Sequence, residues 1–437
     1  MPGASVHSVS EDARVGGRLW LWVVLLGLTG QLAWTIENMY LNVFVYRTIT
    51  DDPNAIAAMV AISAAAATLA TLLVGAWSDR VGRRREFIAL GYVLWGLTTA
   101  GFGLVGVDPS LPNGVAIAVV SIIALDAVMS FLGSGANDAA YQAWVTDSTT
   151  SANRAKVDGV IQTLPLLGML VVFGALDPLT QAGEWTTFFG LVGGFTAVVG
   201  VAAWFGIRTA ANPQPSGTYL ETVLHGLRPA TIRRQPRLYL AFATWAVLGI
   251  SFQVFMPYLI IYVNTTLAIE NYALVLASVL IGASLVSVLG ARLLGRRDLV
   301  GAVIPATGAY AAGLLAMFFA RGLLAVILAG ILMMGAFLLT GAALSATVRN
   351  LTPADRAGQV QGVRMIAVVL VPMVIGPFIG AAVISGADET YVDLGVVKQV
   401  PTAWIFIAAA VVAALSALPA RLLRRTTAPV REREELS

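Results

Sequence analysis

The sequence predicts an all-α membrane protein with twelve transmembrane helices in two pseudo-symmetric six-helix halves. Three observations carry that prediction. Of the 437 residues, 58% are hydrophobic and only 12% charged, against about 25% charged in an ordinary soluble chain. The apolar residues fall in segments of about 20, the length that crosses roughly 30 Å of hydrocarbon at 1.5 Å per residue. The basic residues gather between alternate segments, as they do when Lys and Arg stay on the cytoplasmic side.

The predicted spans run near 20–45, 55–77, 87–106, 115–142, 157–176 and 186–206 in the first half. In the second half they run near 239–263, 271–294, 300–319, 322–346, 360–384 and 402–420. Residues 1–17 are polar and no small-residue cleavage site follows the first span, so no removable signal peptide is expected. With the N-terminus placed inside, 24 basic residues fall in inner segments and three, Arg47, Arg321 and Lys398, in outer loops. One miscounted span would reverse every later loop, so the division supports twelve crossings with both termini cytoplasmic. The expected location is the plasma (inner) membrane. The net charge of +3 then reports topology, and no nucleic-acid partner is implied.

The organisation follows from the same reading: residues 1–206 form one half, 207–238 a central cytoplasmic loop, and 239–437 the other half with its tail. In the loop, Leu220, Val223, Leu224 and Leu227 share one helical face and predict a short surface helix. The halves echo each other weakly. NRAKVDGV at Asn153–Val160 corresponds to DRAGQVQGV at Asp355–Val363, and VGRR at Val81–Arg84 to LGRR at Leu294–Arg297. Paired six-helix halves are a transporter arrangement with the solute path between them.

Composition excludes most covalent chemistry. There is no Cys, the two lysines Lys156 and Lys398 end no phosphate-binding GxxxxGK[ST] loop, and no serine lies in GxSxG. The two histidines, His7 and His225, are too far apart for HExxH, and Asp51 and Asp52 have no further acid nearby. No enzyme, cofactor or metal site is expected.

Mechanism is expected from acids inside the bilayer, where an ionisable side chain is costly. Glu37 in the first span and Asp126 and Asp138 in the fourth qualify. The fourth span carries Asp126, Ser130, Ser134, Asn137, Asp138 and Tyr141 at steps of three and four, one polar stripe that cannot face lipid. The first span adds Gln31, Thr35, Asn38 and Asn42 on one face, with Trp34 and Glu37 beside it. These two spans are expected to line a shared polar cavity. No Lys or Arg lies mid-span to neutralise the acids, so a mobile proton or Na⁺ is the expected partner. The alternative is that they stay protonated and only hydrogen-bond neighbouring helices. Candidate solute-binding residues are Trp34, Asn38, Asn42, Ser134, Asn137 and Tyr141, with Gln162 from the fifth span and Gln253 and Tyr258 from the seventh. The seventh span also carries Trp245, Tyr262 and Asn264, and the eleventh has GPFIG at Gly376–Gly380.

The sharpest motif is GAWSDRVGRRR, Gly75 to Arg85, between the second and third spans. It resembles the signature GxxxD(R/K)xGR(R/K) of the major facilitator superfamily at every defined position. The resemblance implies the major facilitator fold, alternating access and a solute as partner in a lipid bilayer, with the protein acting as a monomer. It places Gly75, Asp79, Arg80, Gly82 and Arg83 at an inner gate. The expected partners of that gate are Asp147, Arg154 and Arg356.

The run from Asn137 to Val160 is similar to the same region of glycoside, pentoside and hexuronide cation symporters, with Asp138, Tyr141, Asp147, Thr149, Arg154 and Gly159 in comparable places. That resemblance implies cation-coupled symport of a sugar or glycoside. The chain departs from that family in having no acid on the second span before Asp79, which shifts the coupling site to Glu37 and the fourth span and favours protons. Efflux of amphipathic compounds is the alternative, and a non-transporting sensor on the same scaffold a further one. The fifth span lacks the GP motif typical of the superfamily's drug antiporters, which weighs against efflux.

Overall fold

The computed structural model describes residues 15–149, 153–208, 228–294, 299–352, 357–393 and 396–434. Among the described residues twelve helices are long and apolar enough to cross a membrane. The first six are α1 (Gly17–Thr48), α2 (Pro53–Ser78), α3 (Arg84–Leu104), α4 (Gly114–Asp147), α5 (Lys156–Gln181) and α6 (Trp185–Gly206). The second six are α7 (Pro236–Thr266), α8 (Tyr272–Gly290), α9 (Val300–Phe319), α10 (Leu323–Leu351), α11 (Gly362–Ala387) and α12 (Trp404–Thr426). Twelve crossings return the chain to the side on which it began, here called the terminal side; the other is the far side. The predicted surface helix at 220–227 lies outside the described residues.

Helix contacts repeat with an offset of six. In the first half α3 packs on α6, α1 on α5 and α2 on α4; in the second, α9 packs on α12, α7 on α11 and α8 on α10. Across the halves, α2 packs on α11 and α5 on α8, which the same offset again relates. Local chemistry sets the ends. Asp52 caps α2, its Oδ1 accepting from the Asn54 N–H at 2.9 Å, with Pro53 in the first turn where its missing donor costs nothing. That helix continues to Val81 and stops at Gly82, whose φ of 69° is left-handed. Gly82 therefore makes the turn that ends this helix.

Two features depart from a plain twelve-helix bundle. A hairpin joins α11 to α12 on the far side, β1 (Thr390–Asp393) pairing antiparallel with β2 (Val396–Gln399), Thr390 opposite Gln399. Among the described residues five spans also contain π-helical turns, at Ile36–Tyr40, Ser134–Tyr141, Val172–Leu176, Tyr262–Thr266 and Ile366–Leu370. These widened turns fall in α1, α4, α5, α7 and α11, and such turns frequently mark functional sites.

Candidate functional site

A cavity of about 690 Å³ lies between the halves. Its first-half wall includes Trp34, Glu37 and Asn38 from α1, Ser63 and Thr71 from α2, Ser134, Asp138, Gln142 and Thr146 from α4, and Gln162 from α5. Among the described residues the second-half wall is formed by α11, with Arg364, Met365, Val368, Val369 and Met373. Gly75, Thr146, Gln162 and Arg364 lie near the terminal-side ends of their helices, so the cavity opens toward that side. At its deep end Glu37 is roughly 30 Å of helix from Gly17.

The π-turn of α4 explains which residues face the cavity. An α-helix makes a turn in 3.6 residues, so an i+4 series drifts around it. The extra residue taken in by the π-turn cancels that drift, and Ser134, Asp138, Gln142 and Thr146 all reach the same wall. Asn137 and Tyr141 are turned away. Asn137 accepts a hydrogen bond from Tyr92 Oη at 2.8 Å on Oδ1 and donates from Nδ2 to Asp138 Oδ1 at 3.1 Å. Tyr141 Oη donates to the Val23 carbonyl at 2.7 Å.

The acids are held by serines. Ser130 Oγ donates to Glu37 Oε1 at 2.6 Å, and Ser134 Oγ to Asp138 Oδ2 at 2.9 Å. Glu37 is 6% exposed, its Oε2 has no partner, and it lies within electrostatic reach of both Asp126 and Asp138. Asp126 is buried and does not line the cavity; its Oδ1 is also unpartnered. Three carboxyls thus form a ladder across α1 and α4, with two of them on the cavity wall.

Of the solute-binding candidates, Trp34, Asn38, Ser134 and Gln162 line the cavity. Asn42, Asn137, Tyr141, Gln253 and Tyr258 do not. Asn42 Nδ2 donates to the Asn38 carbonyl at 3.0 Å. Tyr258 Oη bridges the carbonyls of Pro53 and Pro377 at 3.0 and 2.9 Å. The GPFIG segment of α11 accounts for the position of the last two residues: a Cβ on Gly376 would come within 2.5 Å of Gln253 Cβ, and one on Gly380 within 2.2 Å of the Val254 carbonyl. α7 and α11 meet there nearly backbone to backbone.

Arg83 and Arg80 are exposed, while Arg84 is buried. Arg84 Nε lies 3.3 Å from Asp147 Oδ2, and its Nη1 donates to Ser78 Oγ at 2.6 Å, tying the ends of α2, α3 and α4 together. Gly75 is not forced by a close approach, since a Cβ there would meet Ala139 Cβ at an ordinary 3.7 Å. Arg356 lies outside the described residues, as do the side chains of Asp79 and Arg154.

Two charged residues went unassigned in the sequence. Arg364, counted there with the inner loop, is inside the α11 span and on the cavity wall. Asp177, one residue beyond the predicted fifth span, is a fourth intramembrane acid, 1% exposed. Its Oδ1 accepts from Tyr40 at 2.9 Å and from Tyr272 of the other half at 2.5 Å, while Gln181 Nε2 donates to Oδ2 at 2.5 Å.

Asp177 belongs to a far-side seal. Arg47 Nη2 donates to Asn264 Oδ1 at 2.6 Å, Tyr46 Oη to the Gln399 carbonyl at 2.7 Å, and the Gln399 N–H to Asp51 Oδ2 at 2.6 Å. Between described residues, the side-chain hydrogen bonds that join the halves lie at this end. The molecule is therefore closed on the far side and open on the terminal side.

A two-half bundle with a central polar cavity open at one end defines a solute carrier of the membrane. The sequence profile of the Major Facilitator Superfamily matches residues 23–373, and the chain belongs to that superfamily of transporters. No curated relative matches the chain. Among solved structures it is similar to the nucleoside transporter NupG, at 14% identity over 94% of this chain and 100% of that one, with a TM-score of 0.70. A bacterial homologue of the human lysosomal transporter Spinster, inward-facing and occupied, matches at 15% identity over 94% and 97% of the two chains with a TM-score of 0.69. The xylose transporter XylE from E. coli, in a partially occluded inward-open conformation, matches at 14% identity over 92% and 97% with a TM-score of 0.66. At these identities the likeness speaks for the fold.

Proposed function

We propose that the protein is a proton-coupled secondary transporter of a small polar solute such as a sugar or glycoside, working as a monomer by alternating access in the plasma membrane. The positive-inside charge pattern makes the terminal side cytoplasmic, so the conformation described is inward-open. The observation that carries the reading is Glu37, a carboxyl at the deep end of the cavity with one oxygen held by Ser130 and the other unpartnered. A charge left on that oxygen would be costly, and a proton removes it. Asp138, whose two oxygens accept from Ser134 and Asn137, provides a second carboxyl on the route to the cytoplasm, and Asp126, with one oxygen unpartnered, a third behind them. Trp34, Asn38, Ser134 and Gln162 offer the ring, amide and hydroxyl groups that a polyhydroxylated solute requires. The xylose–proton symporter among the structural neighbours carries a solute of that kind.

The test is uptake of labelled D-xylose, D-glucose and methyl β-D-glucoside into proteoliposomes with the outside acidified. Uptake above the equilibrium level that collapses with a protonophore supports the reading. Uptake indifferent to the proton gradient overturns it. A second reading, proton-driven export of amphipathic compounds, is favoured by the apolar α11 wall of Met365, Val368, Val369 and Met373. It predicts that an opposed proton gradient drives a labelled amphipathic cation out, and sugar accumulation under inward proton drive would exclude it.

A further inference from the structure

The cavity wall contributed by the second half carries one polar group, the Arg364 guanidinium, among four apolar side chains. A guanidinium cannot shed its charge, and half-buried on an otherwise apolar wall near the cavity mouth it favours an anionic acceptor. Its carbon lies 5.1 Å from the centre of the Trp245 ring, a contact that orients the planar fork without satisfying any of its five donors. The ion pairs between described residues are Arg84–Asp147 and Arg85–Glu86, and Arg364 is in neither. Arg349, exposed at the terminal-side end of α10, lies within electrostatic reach and adds to the positive potential. Among the described lining residues the charged groups are Glu37, Asp138 and Arg364. When both carboxyls hold protons, the guanidinium is the only charge among the described lining residues.

We infer that the solute carries an oxyanion, a carboxylate or its equivalent, which docks on Arg364 from the cavity while the uncharged part of the molecule meets Trp34, Asn38 and Gln162 on the opposite wall. This rests on the proposed function in taking the central cavity as the solute site, and it narrows the solute class. The arrangement has a physical logic. A monoanion is repelled by ionised Glu37 and Asp138, and once they are neutral only the attraction of Arg364 and its neighbour Arg349 is left, so anion entry and protonation favour each other. The guanidinium fork matches a carboxylate in a way that a hydroxyl cannot.

Equilibrium binding to detergent-purified protein without any gradient tests the inference, using matched acids and alcohols: D-gluconate against D-glucitol, benzoate against benzyl alcohol, and L-lactate against propane-1,2-diol. At least one acid is expected to bind about tenfold or more tightly than its alcohol, the preference a charge-assisted hydrogen bond confers. In Arg364→Gln that preference should fall to about twofold or less, and Arg364→Lys, which keeps the charge and loses the fork, should retain part of it. The wild-type comparison stands even if a variant fails to fold. If no acid binds more tightly than its alcohol, or if folded Arg364→Gln keeps the full preference, the inference is wrong. Equal binding of acids and alcohols would leave proton coupling untouched, since that reading fails only in the gradient experiment.

Discussion

Tyr272→Phe should move the protein toward a state open on the far side. The hydroxyl removed donates to Asp177 Oδ1 across the halves at 2.5 Å, and this bond exists only while the far side is closed. A hydrogen bond to a charged group contributes about 1.5–3 kcal/mol. Tyr40 and Gln181 belong to the same half as Asp177 and continue to satisfy it at 2.9 and 2.5 Å, so no orphaned carboxylate is left behind. The lower end of that range therefore applies, and about 1.4 kcal/mol is tenfold in the equilibrium between closed and open. The absence of cysteine from the chain permits clean labelling. Spin labels at Ala182→Cys on the first half and Glu270→Cys on the second, both exposed at the far side, should report the change by double electron–electron resonance. The Tyr272→Phe background should show a long-distance population increased by about tenfold relative to the short one. An unchanged distance distribution would refute the assignment of Asp177 and Tyr272 as a latch.

Other substitutions probe separate parts of the molecule. Glu37→Gln and Asp138→Asn should each abolish gradient-driven accumulation while solute exchange across a membrane with no gradient persists; full retention of accumulation in both would remove them from coupling. Gly380→Ala places a methyl 2.2 Å from the Val254 carbonyl, so α7 and α11 must separate, and thermal unfolding in detergent should show a loss of about 1–3 kcal/mol. Arg84→Gln breaks the tie to Asp147 and Ser78. Because Asp147 is 34% exposed, solvent screening limits the loss to about 1 kcal/mol, visible as a modestly lowered midpoint.

How much of this was legible in the sequence varied with the physics involved. Span positions were, because hydrocarbon thickness sets segment length: the expected 115–142 lies within the observed Gly114–Asp147, and 402–420 meets Trp404–Thr426. The charge bias gave the parity of the spans. The cavity's first-half wall was legible in part, since Glu37, Asn38, Ser134 and Asp138 form polar faces in otherwise apolar helices. The facing of Asn137 and Tyr141 was not, because a strict 3.6-residue period cannot anticipate the π-turn at Ser134–Tyr141. Arg364 was absorbed into the topology count, as its place at a helix end looks the same in sequence whether it meets water or a cavity. Asp177 stood next to Pro178 at the edge of a span and read as loop, though Tyr40 and Tyr272 bury it. Gln253 and Tyr258 lie in the helix expected to serve the site, but Gly376 and Gly380 bring α11 so close that they are used in packing. The hairpin at Thr390–Gln399 is two short strands in a loop between two long apolar spans, too little pattern to register.

The proposed coupling requires that a solute in this cavity move together with protons taken up at Glu37 and Asp138. It is tested most directly in proteoliposomes loaded with a pH-sensitive dye, with no membrane potential, when a transported solute from the series above is added outside. Solute entry should acidify the lumen, and Glu37→Gln should let the solute equilibrate with no change in lumen pH. Solute entry through the unmodified protein at constant lumen pH would contradict it.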